Sequence, residues 1–135
     1  MQLQGKIWKE DKFWLIEIPA LDLISSGKTK AEVSEMLIDA VKILMTEYKL
    51  GPARMKLKIN KDVVYIQSSN LKGLFALVLR RLRGSKSQKS IAEKLKLKSN
   101  NSYQQYELGK REPSISQMEQ LLKTLNPNSE ITLSF

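Results

Sequence analysis

Four carboxamide side chains, Asn100, Asn101, Gln104 and Gln105, crowd into six residues of a chain that holds no histidine and no cysteine. If a helix begins near Asn100, they fall away from Tyr103 and Tyr106, whose spacing of three gives that helix its buried side. A carboxamide offers a donor and an acceptor together, which matches the edge of adenine in the major groove of duplex DNA. Lys86, Lys89, Lys98, Lys110 and Arg111 surround these positions and can hold phosphates, which fixes register without reading sequence. Asn100, Asn101 and Ser102 are also good N-caps, so capping and base contact stay open for Asn100, whereas Gln105 lies too far into the helix to cap it.

Little other chemistry is available. Without His or Cys there is no imidazole base, no serine triad and no histidine or thiolate metal site. The strand-borne acids of the first half, Glu17, Asp22 and Asp62, are too few and scattered for a two-metal nuclease. No glycine-rich phosphate loop is present. The expectation is a binding protein, not an enzyme, that needs no cofactor and no metal.

The formal charge of +9 is unevenly placed. Residues 1–69 hold 11 Lys/Arg against 9 Asp/Glu, and residues 70–135 hold 12 against 5. A near-neutral half is thus joined to a basic half, and the basic half points to a polyanion. No apolar run approaches the ~18–20 residues of a membrane span, and the N-terminus lacks the build of a signal peptide. With zero cysteines this fits the cytoplasm, with no membrane partner.

The elements that must position these residues can be read in order. Gln2–Lys9 and Phe13–Ile18 alternate as two strands, and Pro19 ends their ladder. Leu21–Ile24 can form a short third strand before a polar break at 25–28. Thr29 and Glu32 have capping-box spacing for a helix over about 30–48, with Val33, Met36, Leu37, Ala40, Val41, Leu44 and Met45 as its stripe. Gly51-Pro52 stops it, Met55–Ile59 alternates as another strand, and Val63–Gln67 returns as its hairpin partner. Residues 1–69 therefore read as an α+β domain, β-β-(β)-α-β-(β), with Asn70 or Ser69 able to cap the next helix.

Residues 70–135 read as an all-α domain. Leu71–Arg83 is amphipathic, and Arg80, Arg81 and Arg83 suit its negative C-terminus. Ser87 caps a second helix with Ile91, Ala92 and Leu95 inward; Gly109 ends the third; Ser114/Gln117 and Ser116/Glu119 both have capping-box spacing for a fourth. Short helices joined by a tight turn form a helix-turn-helix.

The chain carries two resemblances. Gly5-Lys6-Ile7-Trp8, then Phe13 to Leu21, then Ser26-Gly27-Lys28-Thr29 and Ala31-Glu32, make residues 3–66 similar to the HicB family of antitoxins. That implies a truncated ribonuclease-H-like sheet without catalysis and a small HicA-type RNase toxin as partner. Ser87-Gln88, Ile91-Ala92, Leu95, Tyr106-Glu107, Gly109-Lys110 and Pro113-Ser114 strongly resemble the Xre-type helix-turn-helix of phage and bacterial repressors. This second resemblance implies that Gln88 contacts a phosphate or base, that Asn100, Asn101 and Gln105 face bases, and that Arg81 pairs with Glu107. The Gln88–Glu107 interval is one residue longer than in compact repressors, so the turn around 96–99 is reshaped, and Lys86 stands where an apolar residue is usual.

Ile131–Phe135 alternates as a short terminal strand, expected to pair with its two-fold mate and so form a homodimer on palindromic double-stranded operator DNA; pairing of dimers into tetramers stays open. Together the readings give an antitoxin that represses its own operon. The alternative is a stand-alone Xre-type regulator whose first half senses a small molecule or only dimerises.

Overall fold

A computed structural model describes residues 1–96, 100–126 and 133–134, with Asn100, Asn101, Leu133 and Ser134 placed by backbone alone. The chain runs β1 (Gln2–Glu10), β2 (Phe13–Ile18), a 3-10 turn (Pro19–Leu21), β3 (Leu23–Gly27), α1 (Lys30–Glu47), β4 (Met55–Asn60), β5 (Val63–Ser68), α2 (Leu71–Arg83), α3 (Gln88–Lys94), α4 (Asn100–Glu107), α5 (Ile115–Leu125) and β6 (Leu133–Ser134). The class is α+β, as the alternation in the first half and the helical periods in the second require.

The antiparallel sheet has the order β3-β2-β1-β5-β4. β1 divides its pairing: Lys6–Glu10 lies along β2, and Leu3–Lys6 lies along β5. Leu3, Ile7, Ile16, Ile18, Val64 and Ile66 point to one face and are buried against α1. Gly5 is buried between them because a Cβ there would collide with the Glu17 carbonyl oxygen and the Ile18 side chain.

α1 starts where Thr29 Oγ1 accepts from the Glu32 N–H at 3.0 Å. Its buried stripe is narrower than the sequence period suggests: Val33, Leu37, Val41 and Met45 are buried, whereas Met36 is 52% exposed. The third strand also differs from expectation. Pro19-Ala20-Leu21 curls into a 3-10 turn closed by Asp22 in a left-handed conformation, and Ser25 and Ser26 extend as β3 instead of breaking. β2 supplies their backbone partners, which outweighs the weak strand propensity of serine.

α2 is the shaft of the molecule. Asn70 caps it, its Oδ1 accepting from the Gly73 N–H at 2.9 Å while its Nδ2 donates to the Leu50 carbonyl at 2.8 Å. Every residue from Gly73 to Leu79 is buried. Leu74, Ala76, Leu77 and Val78 join the core of the sheet, and Phe75 and Leu79 join a second core with Ile91, Tyr103, Tyr106, Met118, Leu121 and Leu125. The expected boundary at 69/70 therefore falls at the cap of a helix that both halves share. At ~1.5–3 kcal/mol for each large apolar side chain buried, α2 contributes to the stability of both.

β6 does not behave as the sequence alone suggests. Leu133 and Ser134 pair antiparallel with Leu3 and Gln2, on the edge of β1 that β2 leaves uncovered. Leu133 and Ser134 thus pair within the chain, where the expectation was a two-fold mate, and residues 131, 132 and 135 of the expected strand lie outside the described residues.

Candidate DNA interface

α3 and α4 pack on α2 through Ile91, Ala92, Tyr103 and Tyr106. Ser87 Oγ accepts from the Ser90 N–H at 3.1 Å and starts α3; Gly109, at φ 70°, lets the chain leave α4. Ser114 and Gln117 form the full capping box of α5, and of the two spacings considered it is this one that starts the helix. Leu95 closes α3 and Lys96 turns the chain at φ 57°. Lys98 and the reshaped turn expected around 96–99 lie largely outside the described residues, as do the side chains of Asn100 and Asn101, although Asn100 does open α4.

Gln104 and Gln105 are half-buried on α4, and Gln105 sits about 160–200° around the helix from Tyr103 and Glu107 at the α-helical period. That places Gln105 on the side of α4 away from Tyr103 and Glu107. Lys86, Lys89, Lys110 and Arg111 are exposed, and the Arg111 guanidinium lies 5.6 Å from the centroid of the Tyr106 ring. The predicted cations thus surround α3 and α4.

Beneath them is a polar knot. Glu107 is fully buried, and Arg83 Nε donates to its two oxygens at 3.0 and 2.9 Å. Gln88 Nε2 donates to Glu107 Oε2 at 3.2 Å, and Arg83 Nη1 donates to the Lys86 carbonyl at 2.7 Å. Gln88, at the start of α3, is therefore oriented by Glu107, as a phosphate-positioning amide would be. Among the described residues the Tyr103 hydroxyl is buried beside Glu107 without a hydrogen bond of good geometry; burial first, then the Glu107 carboxylate, push its phenol well above the usual range.

The pair expected between Arg81 and Glu107 is not formed. Arg81 instead donates from Nε to the Leu21 carbonyl at 2.7 Å and from Nη2 to the Asp22 carbonyl at 2.9 Å. Two residues of helix rotate the side chain by about 200°, so Arg81 and Arg83 face opposite modules. Arg80 spans both, stacking 4.7 Å from the Tyr48 ring centroid and donating to the Glu107 carbonyl at 3.2 Å. Sequence reasoning saw three arginines at a helix C-terminus and missed that each has a separate address.

Residues 79–129 match the family model described as helix-turn-helix. The matched stretch begins in the last turns of α2 and takes in α3, α4 and α5. Residues 79–129 are a helix-turn-helix of the Xre type, a DNA-binding class. No curated protein matches the chain. Among the described residues no helix is long and apolar enough to cross a membrane.

Proposed function

We propose that this chain is an antitoxin and autorepressor of the cytoplasm. The first module, residues 1–69, binds and blocks a small RNase toxin of the HicA type, and the helix-turn-helix represses the operon the two share. The likeness of residues 3–66 to HicB antitoxins supports the toxin arm, together with a truncated ribonuclease-H-like reading of the sheet and α1.

The observation that carries the proposal is the all-round burial of α2. A partner-binding module and a DNA reader that share α2 and its flanking arginines are coupled where partner binding favours one placement of that helix over another, and α2 is the element through which such a bias passes.

Co-expression with the product of a short reading frame beside this gene tests the reading. Rescue of growth and co-purification are expected. Failure of both removes the antitoxin arm and leaves a stand-alone Xre-type regulator.

A further inference from the structure

Among the described residues no helix covers the sheet face opposite α1. Alternation along the strands puts Trp8, Leu15, Val63 and Tyr65 on it half-buried, with Phe13 48% and Ile24 60% exposed. Two depressions lie at its opposite corners. One, of about 280 Å³, is lined by Glu10, Asp11, Phe13, Leu15 and Ser26. The other, of about 360 Å³, is lined by Arg54, Lys56, Gln67, Ser68 and Ser69. Gln67 Nε2 donates to Gln2 at 2.9 Å, so the basic corner sits at the start of β1 and the acidic corner at its end. Eight strand residues separate them, about 27 Å.

The charged side chains of the first depression are both acids, and those of the second are both bases. Between them Lys6 stands opposite Glu17 on the neighbouring strand. Trp8 lies two residues toward the acidic corner, and Tyr65, opposite Gln4, lies two toward the basic one. The acidic corner and Trp8 thus lie on one side of the middle of the face, and the basic corner and Tyr65 on the other.

We propose that this face is where two copies of the chain meet, about a two-fold axis that lies in the contact plane and crosses between the two corners. A two-fold contact matches each group i to j and j to i, and this face is complementary to itself under that operation. The partner's Arg54 enters the acidic depression, its guanidinium over Phe13 and beside Glu10 and Asp11. Trp8 of each copy meets the partner's Tyr65. A face of roughly 20 by 25 Å gives about 1,000 Å² for the pair, the threshold of a specific interface. The alternative device, β6, is already spent on β1. The inference deepens the operator-reading arm proposed above, because a dimer offers two recognition helices to two half-sites; its test needs no DNA and is independent of that arm.

Glu10, Asp11, Arg54 and Lys56 are all exposed, and Lys61 holds the same left-handed conformation as Asp11, so reversing their charges leaves the fold intact. Light scattering coupled to gel filtration then reads the mass of three samples. The unaltered protein is expected as two chains. Glu10→Lys/Asp11→Lys alone and Arg54→Glu/Lys56→Glu alone are each expected as one chain, because like charges now meet at both corners. Mixed in equal amounts, the two variants are expected to restore the two-chain mass, since each supplies what the other lost. A single-chain mass for the unaltered protein, a dimer that survives either reversal, or a mixture that stays monomeric would overturn the proposal.

Discussion

Arg83 Nε lies 3.0 and 2.9 Å from the two oxygens of Glu107, a carboxylate with no exposed surface at the end of α4. The pair locks the last turn of α2 to the recognition helix, and Gln88 adds the start of α3 to the same carboxylate. Removing one member of such a pair leaves the other charge without its partner, at about 3 kcal/mol. Glu107→Gln should lower the unfolding free energy by that amount, seen as a lower urea midpoint at unchanged slope. Arg83→Ala should do the same, and the double variant should cost less than the sum. Additive losses would show that the two side chains do not act as a unit.

Tyr103 gives a pH dependence whose sign is fixed. Its phenol is pushed up by burial and then by Glu107, so the folded protein keeps the proton at pH values where the unfolded chain releases it. The stability it supports is complete below about pH 10, the unfolded value, and falls as pH rises beyond it, by up to ~1.4 kcal/mol per unit. Thermal midpoints from pH 8 to 11 should fall less steeply for Tyr103→Phe than for the parent. Because the hydroxyl makes no hydrogen bond of good geometry among the described residues, the same variant should cost little at neutral pH, or stabilise. Parallel alkaline curves for the two proteins would assign the loss to other groups.

Arg81 holds the 3-10 turn of the first module through the carbonyls of Leu21 and Asp22. A guanidinium reaches both acceptors from one plane, and an ammonium cannot. Arg81→Ala should cost about 2 kcal/mol, and Arg81→Lys should recover less than half of it. The loss should also appear as faster amide exchange at Asp22, whose N–H closes the turn on Pro19 at 3.1 Å. Unchanged exchange there would mean that the turn holds without its arginine.

The strands β1 and β2, helix α1 and the β4–β5 hairpin were legible because period, Pro19, Thr29 and Gly51-Pro52 all act locally. Asn70 and Ser114 were legible as caps for the same reason. What escaped was decided by partners far away in sequence. Ser25 and Ser26 extend because β2 lies alongside, and Leu133 pairs with Leu3 across the length of the chain. Arg81 and Arg83 differ by two residues, and no local signal says which arginine finds Glu107; only the shared burial of α2 sends them to opposite sides. Gln88 and Lys89 lie on α3 and Gln104 and Gln105 on α4, with Lys86, Lys110 and Arg111 in the loops beside them.

On that surface Gln105 and Lys89 are expected to fail differently when changed. An amide that reads a base edge contributes to discrimination, so Gln105→Ala should cost about 1–3 kcal/mol on operator DNA and relax the preference at one base step. A lysine that holds a phosphate contributes without regard to sequence. Lys89→Ala should weaken operator and random duplex alike and reduce the slope of log K against log salt by about one. Fluorescence anisotropy on both duplexes over a salt series separates the two behaviours. Equal loss on operator and random DNA for Gln105→Ala would move that side chain from the base edge to the backbone, and would leave the specificity of α4 to the residues at its N-terminal end.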